Sequence, residues 1–269
     1  MADEQYDWAS LGIDTTKPSI ARTYDVVLRG KDNFEVDRAF VAEIVKIIPE
    51  IYDVATYNRE ILGRGVRHLA GEAGIRQFLD LGSGLPTVQN THQVAQATAP
   101  GARVAYVDND PIVLAHGRAL LAENANTTVI TADVREPEKI LAHEDVRRLI
   151  DFDRPVAVML VGILHHLHDD ENPQGIVETL MDAVPSGSHL FVTCFCASSQ
   201  EAVDAEVQYQ GLLGTGRFRT PEEITRYFDG LELLEPGLVP LPLWRPDGDL
   251  PDELTVGQRL MYGGIARKP

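Results

Sequence analysis

From residue 76 onward, short continuous apolar runs such as VAVMLVG and HLFVTCF alternate with longer amphipathic stretches. The runs predict strands near 76–81, 103–108, 127–131, 156–161 and 188–195, with helices near 87–98, 111–123, 136–149, 173–183 and 198–211. Strands that are apolar at every position are covered on both faces, the mark of a parallel sheet. Strict strand–helix alternation makes the fold class α/β and doubly wound. Asp110-Pro111 and Thr220-Pro221-Glu222-Glu223 are helix starts, an N-cap followed by Pro at the first helical position. Two further strand candidates, 231–240 and 258–267, are joined by a Pro-rich loop. Ahead of the sheet the rhythm is helical. Phe40, Val41, Ile44, Val45 and Ile48 predict a helix over 37–48 that Pro49 breaks, and Ile61, Leu62, Val66 and Leu69 predict another over 58–70. Residues 1–18 are polar and read as a loose arm; 19–33 are mixed, with a turn signal at Gly30-Lys31-Asp32-Asn33. The predicted organisation is an N-terminal arm and helical cap over 1–70 and an α/β domain over 71–269, forming one continuous unit.

Composition narrows the chemistry. The 269 residues are 44% hydrophobic, enough for a large core. No apolar run reaches the ~18 residues of a membrane-spanning helix, and MADEQYDWAS lacks the apolar centre of a secretory signal. Cys194 and Cys196 alternate onto one face of a strand, a poor spacing for a disulfide, and read as buried thiols in a reducing, cytoplasmic compartment. The net charge of −17 repels nucleic acid, and Arg147-Arg148 and Arg217 to Arg219 are too small to form a basic patch. A small-molecule substrate, no membrane or nucleic-acid partner, and a monomer or homodimer are expected.

The densest signal lies between Arg76 and Pro111. An apolar strand runs into Asp80 and a Gly82-Ser83-Gly84 turn; a helix follows, and a second strand ends in Asp108. Glycines let the backbone approach a ligand closely, and an acid ending the second strand accepts from ribose hydroxyls. A dinucleotide site places a third glycine where this chain has Thr87, and Pro86 removes an N–H that a pyrophosphate would use. Asp80 would repel a pyrophosphate but suits a cationic ligand. S-Adenosylmethionine, which carries an ammonium and a sulfonium and no phosphate, is the expected cofactor, with NAD or FAD as the alternative.

These residues resemble the S-adenosylmethionine-dependent methyltransferases of Rossmann-like, seven-stranded type. More narrowly, the chain is similar to a methyltransferase group abundant in actinomycetes. The likeness runs nearly end to end, through SIARTYDVVLRGKDNFEVDR, YNREILGRGVRHLA, IRQFLDLGSGLPT, VAYVDNDP, TADVREPE, GILHHLHDDENP and FRTPEEITRYFDGLELLEPGLVPLPLWRP. It implies strand order 3-2-1-4-5-7-6 with strand 7 antiparallel, and a cofactor at the C-terminal edges of strands one to four. By the same resemblance Asp80, Gly82, Ser83 and Gly84 hold the methionine end, and Asp108 holds the ribose. Asn109, Asp133 and Val134 meet the adenine, and Gly162 to His166 lies beside the sulfonium. The N-terminal block folds over the cofactor as a lid, in which Tyr24 or Phe34 faces the sulfonium and Arg22 pairs with the cofactor carboxylate, with Asn58 and Arg59 as rivals.

No Asn-Pro-Pro-Tyr or Asp-Pro-Pro-Tyr follows strand four, so the signature of base amino-methylation is missing. His165, His166 and His168 splay apart too much for a metal trio, and no metal is expected. His165 or His166 is a candidate general base, or else part of the pocket wall. A binder of the cofactor that performs no catalysis remains an alternative to an enzyme.

Overall fold

The computed structural model describes residue 8 and residues 12–86, 89–121, 124–249 and 253–269. Most of the predicted arm (1–7 and 9–11) and Thr87 lie outside the described residues. The strands are β1 (Gln77–Leu81), β2 (Arg103–Asp108), β3 (Thr127–Thr131), β4 (Ala157–Val161), β5 (His189–Phe195), β6 (Glu232–Leu233), β7 (Val239–Pro240) and β8 (Met261–Arg267). They form one sheet in the order β3-β2-β1-β4-β5-β8-β6, with β7 also pairing β8. The first five strands are parallel and β8 runs antiparallel to β5. This is the expected topology with one change: the single strand expected over 231–240 is two short strands. Pro236 cannot donate to a ladder and Gly237 turns the chain at φ +92°, so pairing stops and resumes.

The helices are α1 (Ile20–Val27), α2 (Glu35–Ile47), α3 (Ile51–Gly71), α4 (Thr91–Thr98), α5 (Pro111–Leu121), α6 (Pro137–Ala142), α7 (Glu144–Leu149), α8 (Pro173–Asp182), α9 (Gln200–Leu213), α10 (Pro221–Thr225) and α11 (Val256–Arg259). Four differ from expectation. Val256–Arg259 form α11, capped by Thr255, where the strand expected over 258–267 was to begin, and that strand starts at Met261. The mixed segment after Lys17 contains α1, whose first turn is capped by the Ser19 hydroxyl accepting from Arg22 N. The helix expected over 136–149 breaks at His143, which is extended (ψ 132°) and whose ring accepts from Asp145 N to start α7. The helix expected to begin at Asn58 begins at Ile51, because buried Ile51, Val54 and Ala55 extend the same apolar stripe.

Side-chain alternation along the strands sorts the core into two layers. Phe78, Val104, Ala157 and Phe191 face α2, α3 and α4; Leu79, Leu81, Val107, Val158 and Leu190 face α6, α7 and α8. The first layer runs without interruption from Val27 to Ile265, so the N-terminal helices share the core of the sheet. Asp80 has the parity of Phe78. Its carboxylate therefore emerges on the side covered by the N-terminal helices.

Candidate active site

The bend after β1 is built by backbone. Gly82 N and Ser83 N both donate to Val107 O, at 2.8 and 3.2 Å, which folds the chain over the end of β2. Gly82 has φ +69°, and a Cβ there would lie 2.7 Å from the Ile163 side chain. At Gly84 (φ +66°) a Cβ would meet nothing within 4 Å, which leaves open space above the bend. Asp108 ties the two strand ends together: its Oδ2 accepts from Gly84 N at 2.8 Å and its Oδ1 from Asp110 N at 2.9 Å. Asp110 takes the capping role by accepting from Ile112 N at 3.0 Å. Each ionised carboxylate oxygen accepts more than one hydrogen bond, so Asp108 retains capacity for ribose hydroxyls.

Asp80 is 5% exposed and accepts from Thr91 Oγ1 at 2.6 Å. Burial pushes its pKa up to about 6; the Thr91 bond and the nearby Arg59 charge oppose the rise, and the Asp108 charge adds to it. Burial raises the Asp108 pKa as well. A cation placed between these groups would relieve both. Arg59 also donates to Gln89 O at 2.9 Å.

Past the bend, Gly162 (φ +81°) ends β4, and a Cβ on it would lie 3.2 Å from Asn58 Nδ2. Asn58, expected at the start of its helix, sits well inside α3. There it joins two elements, donating to Tyr24 Oη at 3.0 Å and accepting from Thr193 Oγ1 at 2.7 Å. His165 is buried, and its Nδ1 accepts from Phe195 N at 3.3 Å. His166 Nδ1 is buried without a hydrogen-bond partner. Burial drives the His165 pKa well below the ordinary value and pushes His166 down to about 3. Both rings are therefore neutral near pH 7, and neither is poised to titrate there. Among the described residues no group of three or more His, Cys, Asp or Glu is arranged to hold a metal ion.

One cavity of about 550 Å³ is lined by the predicted site residues except Asp133, Leu164 and Phe34, whose ring packs on Trp8 and Arg22 instead. That volume lies within the ~300–1,000 Å³ range of small-molecule sites. The Asp133 carboxylate is instead paired with Arg135, accepting from its Nε at 2.9 Å. Arg22 lines the cavity, but its guanidinium is already engaged. Nε bonds Asp37 at 2.8 Å in a pair buried on both sides, and Nη2 donates to Lys17 O and Asp14 O. Through Nε and Nη2 it holds the N-terminal block together. Sequence reasoning missed Thr91, which fixes Asp80, and Tyr209 of α9, whose ring reaches the cavity 5.1 Å from Phe40. The Asn90-Thr91 helix start was the available signal for the first; α9 carries none for the second.

A profile described as S-adenosyl methyltransferase matches residues 6–269. The chain belongs to this family. It is similar to a candidate methyltransferase from Thermobifida fusca YX of known crystal structure, at 55% identity over 98% of this chain and 99% of that one, TM-score 0.94. A DUF574 family protein from Streptomyces avermitilis MA-4680 is 40% identical over 95% and 99% of the two chains, TM-score 0.91. The fold, at 12% identity, is also that of the N-methyltransferase NodS from Bradyrhizobium japonicum WM9, solved with S-adenosyl-L-homocysteine (TM-score 0.50, 92% and 99% covered). No curated protein matches the chain. The chain is thus an S-adenosylmethionine-dependent methyltransferase. The residues present fit that cofactor: a buried carboxylate that gains from a cation, open space above Gly84, and a second carboxylate one strand away. No helix among the described residues is long and apolar enough to cross a membrane.

Proposed function

We propose that this methyltransferase acts on a small-molecule acceptor held between the glycine bend and the N-terminal helices. The observation that carries the reading is the pair of carboxylates flanking the bend, Asp80 deep in the cleft and Asp108 at its edge. Asp80, fixed by Thr91, pairs with the ammonium of the cofactor. Gly82 to Gly84 present backbone to its methionine end, and Asp108 accepts from the ribose hydroxyls. Asn109 and the Val134 backbone border the adenine, while Asp133 stays with Arg135. Arg59, close enough to lower the Asp80 pKa, replaces Arg22 as the cation for the methionine carboxylate.

Held by these residues, S-adenosylmethionine would supply a methyl group already activated on sulfur for in-line transfer to the acceptor. The protein's task is alignment and exclusion of water, which contributes several kcal/mol. Gly162, Asn58 and Tyr24 lie in sequence from the bend toward the covered side and set the line of approach. His166, whose pKa burial pushes down to about 3, forms part of the pocket wall, and the proton that a methylated acceptor sheds passes to water. Helices α1 to α3 act as the cover, and with the sheet they form one unit.

Calorimetric titration tests the cofactor reading: S-adenosylhomocysteine binds and NAD does not. Binding of NAD alone overturns it. Release of S-adenosylhomocysteine on a metabolite panel separates an enzyme from a binder that does not turn over.

A further inference from the structure

The cavity does not stop at the cofactor cleft. Beyond Gly162 it continues among α1, α2, α3 and α9, where Val27, Phe40, Val41, Ile44, Tyr209 and Leu213 line it. Val41 and Ile44 are each 1% exposed, so this is space inside the apolar layer. The charged lining groups lie elsewhere. Asp80, Asp108, Asp110 and Arg59 belong to the glycine-bend end, while Asp14 and Lys17 lie beside Arg22, itself tied to Asp37.

Two polar atoms face this apolar space with unused hydrogen-bonding capacity. Tyr209 is 8% exposed, and its hydroxyl bonds no described residue. The His166 ring lines the space too, with its unpartnered Nδ1 sealed from it. Tyr24 Oη accepts from Asn58, and its own proton has no acceptor among the described residues. Phe195 and Phe40 stand edge-on to the Tyr209 ring, at 5.4 and 5.1 Å, and His166 is 6.5 Å from it. The Tyr209 hydroxyl and the Tyr24 proton thus give an apolar chamber two hydrogen-bonding groups that a ligand would complete.

We propose that this chamber is the acceptor subsite and takes a neutral, largely apolar ring compound bearing one hydroxyl or amine, which the Tyr24 and Tyr209 hydroxyls hold beside the His166 ring. The assignment rests on the methyltransferase reading above. A sugar phosphate or amino acid would bury a charge here with no counter-ion, which costs far more than the apolar contacts return. A flat ring matches the aromatic walls, and its single polar atom meets the two tyrosine hydroxyls.

The test uses two probes of one shape: 2-naphthol, neutral near pH 7, and 2-naphthoate, its anionic counterpart. Each is titrated calorimetrically into the full chain, with and without saturating S-adenosylhomocysteine. The expected result is one 2-naphthol site, about tenfold or more tighter than 2-naphthoate. Leu213→Lys, at a half-buried position, should weaken 2-naphthol about tenfold while leaving S-adenosylhomocysteine affinity within about twofold. Tyr209→Phe keeps the ring volume and should weaken it several-fold, which protects the test if the lysine variant misfolds. Absent 2-naphthol binding, equal or tighter 2-naphthoate binding, or indifference to both variants overturns the chamber assignment. Failure of S-adenosylhomocysteine itself to bind would instead overturn the cofactor reading.

Discussion

The two ends of the cavity solve opposite problems. At the glycine bend two carboxylates face the ligand, and groups such as the Gly84 N–H and the Thr91 hydroxyl fix those carboxylates. At the helical end the walls are apolar, and the charges of the N-terminal block are spent on each other, as in Arg22 with Asp37. A shared cofactor needs a polar, rigid cradle. A site for a particular acceptor is defined by shape and by the absence of charge.

The sharpest way to break this contrast is Gly82→Val. The side chain would sit at positive φ and collide with Ile163. Stability should drop by ~3 kcal/mol, with S-adenosylhomocysteine binding lost, as read by thermal unfolding and calorimetry. Arg22→Ala should cost a similar ~3 kcal/mol by stranding buried Asp37, yet change S-adenosylhomocysteine affinity by less than about threefold, ~0.7 kcal/mol. A large affinity loss with unchanged stability would return Arg22 to the cofactor site. Asp108→Ala should weaken S-adenosylhomocysteine at least about tenfold, ~1.4 kcal/mol, with a native circular dichroism spectrum. Unchanged affinity would remove Asp108 from the site. The smallest effect is expected from Asp133→Ala. Its carboxylate already serves Arg135, so affinity should shift by less than about threefold.

The same contrast explains what was legible beforehand. Strand order and the bend follow from local signals: continuous apolar runs, a Gly-Ser-Gly turn, an acid at a strand end. Those signals survive folding because the bend is made of adjacent residues. The break at His143 and the division of 231–240 depend on single residues inside otherwise regular patterns. The fate of Arg22 was illegible because its partner, Asp37, is 15 residues away in a helix whose apolar stripe was the visible feature. The chamber was hidden for a related reason. Phe40, Val41, Ile44 and Tyr209 read as core, and they are core; only their three-dimensional arrangement leaves a space between them.

The central claim is that a buried carboxylate selects a cationic nucleoside. Burial lets folded Asp80 keep its proton up to about pH 6, against an ordinary value of 3.8. The free chain therefore loses stability as pH rises through that window, and the ionised form that pairs with an ammonium predominates only above it. The decisive measurement is S-adenosylhomocysteine affinity from pH 8 to pH 5 in the wild type and in Asp80→Asn. The wild type should bind evenly above pH 6 and weaken below it, approaching about tenfold per pH unit. Asp80→Asn should bind more weakly at pH 8 and fall off less steeply, the remaining slope belonging to Asp108. Superimposable profiles of equal affinity would contradict the account.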